Sequence, residues 1–137
     1  MTDGLDQALA ASAIALLTAD TSLNVLDGVV PNGTVPPYVL VYTSLGRPSA
    51  DPDNSIDGRS RVFTVRWYCH CVGGNAQAAR AVAQRVRTAL LDVRPVVAGL
   101  QCGLIREQPD PPAPVRDEMT GTLVMDAVEI YELRASS

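Results

Sequence analysis

Three consecutive residues near the middle of the chain carry the ligand types that zinc prefers: Cys69, His70 and Cys71. They lie in residues 61–72, where apolar and polar side chains alternate as in a half-buried strand. Alternation directs both thiols to one face of the sheet and the imidazole to the other, so one tetrahedral ion cannot be held by all three. Cys102 completes an odd set of three cysteines, which favours free thiols in the core of a protein kept in a cytosol-like compartment. We therefore predict no metal and no cofactor.

Other catalytic arrangements are equally incomplete. A Ser-His-Asp triad would have to use His70, the single histidine, and no serine lies in a G-x-S-x-G sequence. Gly73 and Gly74 precede Asn75 at a predicted strand-to-helix turn, where backbone amides could bind a phosphate. However, the lysine of a P-loop and the G-x-G-x-x-G of a dinucleotide site are both missing. A tight turn into a capped helix is the simpler interpretation, and we predict that the protein is not an enzyme.

Acidic residues are concentrated in two proline-rich segments, at about residues 46–58 and 107–119. Neither has the glycine and glutamate pattern of an EF-hand loop, so calcium binding is not predicted. Both are predicted to be long, solvated loops that can reach partner proteins. The charges of these loops would set the electrostatic complementarity with the partner. The candidate contact residues are Arg47, Asp51, Asp53, Asp57, Asp110, Asp117 and Glu118.

The overall charge limits the partners further. The formal net charge is -4, whereas general affinity for nucleic acid requires a basic surface. The apolar run at residues 8–17 is too short to span a bilayer. We therefore predict neither specific nucleic-acid binding nor a membrane association.

The elements that would position these side chains follow from hydrophobic spacing. A period of three to four predicts helices at residues 5–19 and 76–91, and alternation predicts strands at 24–27, 38–42, 61–72, 100–105 and 120–134. All ten prolines fall between these elements, as expected for a residue excluded from helix and strand interiors. The predicted fold class is α+β: one domain over residues 1–137, with a mainly antiparallel sheet and two helices packed on it.

Side-chain placement in this fold leads to three further expectations. Trp67 should be buried beneath the apolar stripe of the second helix, formed by Val82, Val86 and Leu90. Glu129 interrupts one apolar face of the last strand, which predicts a bulge or an exposed end there. The apolar residues of the opposite sheet face need a cover, supplied either by the first helix or by a neighbouring subunit. Those residues are Tyr68, Val124, Val128 and Ile130.

Four features in order resemble the tail-terminator (tail-completion) proteins of long-tailed bacteriophages. They are an Ala/Leu-rich first helix, the sequence Pro-Pro-Tyr-Val-Leu-Val-Tyr at 36–42, an arginine-led strand ending Cys-Val-Gly-Gly before the Ala/Arg helix at 76–91, and a last strand ending Tyr-Glu-Leu. The resemblance covers nearly the whole chain.

The resemblance implies a minor tail protein whose function is structural. Its subunits would form a ring, expected to hold six copies, that caps the finished tail tube and stops tube polymerisation. The partners implied are further copies of the chain, the major tail tube protein and the head-tail connector or neck protein, with DNA passing through the lumen. The protein would be assembled in the host cytoplasm and reside in the virion, at the head-proximal end of the tail.

Three alternatives remain open at the level of sequence. Another neck or head-closure protein would have the same size and composition. A small ligand-binding α+β domain would need a polar pocket, for which His70, Arg66 and the Gly-Gly turn are the candidates. A general oligomeric adaptor is the third.

Overall fold

A computed structural model describes residues 3–45, 62–109, 115–117 and 124–136. The helices are α1 (Asp3–Thr18) and α2 (Ala76–Leu90). The strands are β1 (Val25–Asp27), β2 (Tyr38–Leu45), β3 (Val62–Gly73), β4 (Gln101–Cys102), β5 (Arg106–Glu107), β6 (Val115–Asp117) and β7 (Val124–Ser136).

All the strands belong to one sheet in the order β1-β2-β3-β7-β4, and β5 and β6 also pair with β7. The β1–β2 pair is parallel and the other pairs are antiparallel. This architecture confirms the predicted α+β class. Of the strand expected at 100–105, only β4 forms, and β5 begins just beyond that range. The two are separated because the backbone of Ile105 bonds to Asp92 and Val93.

The two longest strands, β3 and β7, form the centre of the sheet. Their register is continuous from Val62 opposite Ser136 to Gly73 opposite Met125. The prediction of a bulge or an exposed end at Glu129 is therefore wrong, because Glu129 lies half-buried within regular pairing opposite Cys69. A carboxyl group is accommodated there because other polar side chains meet it on the helix-bearing face.

Both helices pack on the same face of the sheet. Leu9, Ala13 and Leu17 of α1 join the same buried cluster as the apolar stripe of α2. Trp67 is fully buried in this cluster, as predicted, and its indole Nε1–H donates to the carbonyl oxygen of Ala10 at 3.1 Å. The link from the tryptophan to α1 was not anticipated, and it ties the first helix to the central strand.

The turn between β3 and α2 brings the two elements into close approach. Asn75 caps α2, since its side-chain oxygen accepts a hydrogen bond from the Ala78 amide at 2.8 Å. A Cβ atom added at Gly73 would lie 2.4 Å from the Ala79 nitrogen, whereas one added at Gly74 would meet nothing within 4 Å. Only the first glycine is therefore required by packing.

The opposite face of the sheet has a smaller apolar cluster of its own. Tyr38, Leu40, Val72 and Val124 are buried there, and Leu26 and Val30 pack against them. Because α1 lies on the other face, the first helix is not the cover of this surface. Val124 is already buried in the single chain, while Tyr68, Val128 and Ile130 remain half-buried.

Candidate functional site

Most of the residues predicted to contact partners lie outside the described part of the chain. This holds for Arg47, Asp51, Asp53, Asp57, Asp110 and Glu118. Asp117 ends β6, which lies within the segment predicted to be a solvated loop and pairs Asp117 with Val124 of β7. The structure thus anchors part of the second excursion to the sheet.

The Cys-His-Cys sequence is divided between the two faces, as its alternation predicted. Cys69 and Cys71 are fully buried beneath the helices, and Cys102 is a third buried free thiol. Burial, together with the carboxyl of Glu129, raises the pKa of Cys69 to about 12, and burial also raises the pKa of Cys71. These thiols are therefore poor nucleophiles. In the described ranges no group of three or more His, Cys, Asp and Glu side chains is arranged to hold a metal ion.

His70 forms a hydrogen bond with a carboxyl group on the opposite face. Its Nδ1 lies 2.8 Å from Oδ2 of Asp126, and the ring of Tyr42 meets the imidazole edge-on at a centroid distance of 5.4 Å. The cross-strand neighbours of His70 are Leu40 and Val128, both aliphatic. A histidine oriented by a carboxylate is half of a catalytic arrangement, but these neighbours offer no nucleophile.

A second polar cluster lies on the helix-bearing face, where β5 and β7 meet α2. Nη1 of Arg87 is 2.7 Å from Oε2 of Glu107. Burial, and then the neighbouring Glu107, raise the pKa of Glu129 to about 7, which Arg87 partly opposes. Tyr131 is fully buried, and within the described structure its hydroxyl has no hydrogen-bond partner. With its pKa at about 7, Glu129 takes up a proton as the pH falls through neutrality.

The carboxylate of Glu132, on the other face, accepts hydrogen bonds from several side chains. Its Oε2 accepts from Nε of Arg66 at 3.0 Å and from Nε2 of Gln108 at 2.7 Å, and Arg134 approaches Oε1 at 3.4 Å. The sequence made Arg66 a candidate for a ligand pocket, but its guanidinium is paired with Glu132 at the surface. Arg66 therefore does not form part of a ligand pocket.

A shallow groove lies along the side of α2 near the start of β2. We call it the α2 groove. Its lining is mostly apolar, with a volume of about 210 Å³, and Arg85 lies at its rim. The lining residues are Ser22, Leu23, Asn24, Pro37, Tyr38, Ala78, Ala81, Val82 and Arg85.

Arg85 is held at the rim by the turn that follows α1. Its guanidinium bonds to the Ser22 hydroxyl and lies 3.8 Å from Oδ1 of Asp20. Arg85 is the single charged residue among those that line the groove, and Asp20 lies beside it. No sequence pattern predicted this groove, because it forms between α2 and segments that are distant from it in the chain.

The polar cluster around Glu129 was also missed from the sequence. The interruption of an apolar face by one acid was the available signal, and it was interpreted as a break in the strand. Pairing of that acid with Glu107 depends on β5, which is only two residues long.

The fold and these surfaces define a single α+β domain whose two packed helices leave one sheet face partly open. No family model matches the sequence. No curated protein matches it. Among solved structures, the chain is similar to one from the virion of a native gene transfer agent particle, with a TM-score of 0.65 and 17% identity over 98% of this chain and 99% of that chain. The match establishes a shared fold along the full length of both chains. In the described ranges, no helix is long and apolar enough to cross a membrane.

Proposed function

We propose that this protein is a structural subunit of a phage-like virion that caps the finished tail tube as a ring of six copies. In this role it stops tube polymerisation and forms the interface to the head-tail connector. The observation that carries the proposal is the full-length likeness of fold to a virion chain. The ordered resemblance of its helices and strands to tail-terminator proteins supports the finer assignment.

The proposed role depends on shape and contact rather than on catalysis. Two observations on the described residues support this view: Cys69 and Cys71 have raised pKa values in the core, and the cross-strand neighbours of His70 are both aliphatic. The half-buried residues Tyr68, Val128 and Ile130 offer surface that a neighbouring copy can cover.

The decisive experiment locates the subunit and removes it. Particles should be imaged by electron microscopy with the protein labelled, and again after deletion of its gene. We expect label at the head-proximal end of the tail, and overlong or headless tails after deletion. Label at another neck position with tails of normal length would instead favour a head-closure protein, which the same fold likeness allows.

A further inference from the structure

We infer that Asn32 is a site of spontaneous chemical modification, at which attack by the backbone nitrogen of Gly33 converts the side-chain amide to aspartate and isoaspartate. Asparagine is among the chemically labile residues of proteins. The inference goes beyond the proposed function and does not depend on it, because the reaction needs only water and the chain itself.

The loop between β1 and β2 presents the reacting groups to solvent. The carbonyl oxygen of Pro31 accepts from the Thr34 amide at 3.1 Å, and Gly33 has a φ of 82°. A positive φ at the third residue alone is the pattern of a type II turn. Both Asn32 and Gly33 are exposed. In the described structure, neither the Asn32 side chain nor the Gly33 amide has a hydrogen-bond partner.

The reaction has two stages, and water is the sole co-reactant. The Gly33 nitrogen loses its proton to hydroxide and attacks Cγ of Asn32, so that a C–N bond forms. The side-chain nitrogen takes a proton from water and leaves as ammonia. Water then opens the resulting cyclic imide at either carbonyl carbon, which gives aspartate or isoaspartate. Both products carry an added negative charge.

The local backbone allows this ring to close. Closure requires rotation about the Cα–C bond of Asn32, and the hydrogen bonds that oppose it are the two from the Thr34 amide and hydroxyl to Pro31. The hydroxyl bond is exposed, so water replaces it when the turn opens. Gly33 has no Cβ, and one added there would meet nothing within 4 Å, so the turn opens without a clash.

Two other exposed asparagines of the described ranges lack this arrangement. Asn24 precedes Val25, whose branched side chain shields the backbone nitrogen and which pairs with Val39 at the start of β1. The side-chain oxygen of Asn75 accepts from the Ala78 amide at 2.8 Å, where it caps α2. Ring closure at either residue would disrupt a strand or a helix cap.

The modification alters a surface while leaving the sheet in place. β1 and β2 are paired on either side of the loop, and the Gly28 amide donates to the Val41 carbonyl at 3.0 Å. The same loop exposes Val29 and Val35, by 65% and 75%. Conversion of Asn32 therefore adds a carboxylate to a loop with exposed apolar side chains.

The test incubates the purified protein at mildly alkaline pH in water enriched in heavy oxygen. Peptide mapping by tandem mass spectrometry then follows each asparagine, and heavy oxygen marks conversion that occurs during the incubation. We expect most of Asn32 to become acid while Asn24 and Asn75 remain largely intact. Isoaspartate, detected with an isoaspartyl methyltransferase, should accompany aspartate at this position, because direct hydrolysis of the amide yields aspartate alone.

A variant tests the role of the glycine. Gly33→Ala adds a side chain beside the attacking nitrogen and should slow the conversion several-fold. Thermal melts check that the variant is folded, and the comparison of Asn32 with Asn24 in the unaltered protein does not depend on it. Conversion of Asn32 no faster than that of Asn24, or conversion without isoaspartate, would overturn the inference. Neither result bears on the proposed function, which imaging of the particles tests separately.

Discussion

The close approach at Gly73 allows a sharp test of the packing of α2 on the sheet. In Gly73→Ala the new methyl would lie 2.4 Å from the Ala79 nitrogen and 2.6 Å from the Ala78 carbonyl carbon. Ordinary contact begins at 3.4 Å, so the first turn of α2 must move by about 1 Å. These two atoms are backbone and the third, at 2.7 Å, is the Cβ of Ala78, so a rotamer change cannot relieve the overlap.

The expected cost follows from that geometry. Overpacking a core costs about 1–3 kcal/mol, and a clash with the backbone of the first turn of α2 places this variant at the upper end, near 3 kcal/mol. Gly74→Ala is the matched control because its methyl would meet nothing within 4 Å. Both variants reduce the entropy of the unfolded chain equally, so that effect cancels in the comparison.

Unfolding can be followed by the fluorescence of Trp67, which is buried in the folded state. We expect a melting temperature for Gly73→Ala roughly 10 °C below that of Gly74→Ala. Equal melting temperatures for the two variants would refute the reasoning, because α2 could not then begin directly against the end of β3.

Four further predictions test other parts of the molecule. Trp67→Ala should lower the free energy of unfolding by about 3–5 kcal/mol, because it leaves a cavity and removes the hydrogen bond to Ala10. Trp67→Phe should lower it by about 1–2 kcal/mol, and circular-dichroism melts measure both. An unchanged melting temperature would place the indole outside the core. Because the folded pKa of Glu129 is raised from 4.5 to about 7, the folded state binds the extra proton and stability should fall as pH rises across that window. Glu129→Gln should flatten this slope and add about 1 kcal/mol at pH 8, a value reduced for partial exposure; an unaltered slope would assign the pH dependence to other groups. Cys69 and Cys71 should resist thiol reagents at pH 8 until the protein is denatured, when all three thiols react, and elemental analysis should find no zinc; one zinc per chain would contradict this. Replacing residues 48–56 with a short Gly-Ser turn should leave the protein folded and soluble, since loop length affects stability only logarithmically, yet yield overlong or headless tails; an insoluble product would show that the segment is structural.

Periodicity was sufficient to predict the main framework. The alternation around Trp67 placed β3 and its buried face, and Asn75 marked the start of α2. These signals are local, since each depends on residues within one element. The same locality explains the errors at the edge of the sheet, where β4 and β5 are two residues long and show no period at all.

The candidate sites were harder to predict because they join distant parts of the chain. The α2 groove is lined by Leu23, Pro37 and Ala81, which are far apart in the sequence. Glu129 was visible in the sequence, but its meaning depended on Glu107 and Arg87, which reach it through tertiary packing. The acidic residues at 51–57 were identified from composition, and they lie outside the described part of the chain.

The edge of β7 that faces away from β3 pairs with three short strands in turn. They are β6 at Val124 to Asp126, β5 at Tyr131 and Glu132, and β4 at Ala135 and Ser136. A long free edge would offer a template on which strands of other chains could add without limit, as in fibrils. Here three short strands in different registers occupy the edge, so it does not offer a continuous row of free backbone groups. Interrupted pairing of this kind suppresses fibre growth and leaves self-association to surfaces with a defined end.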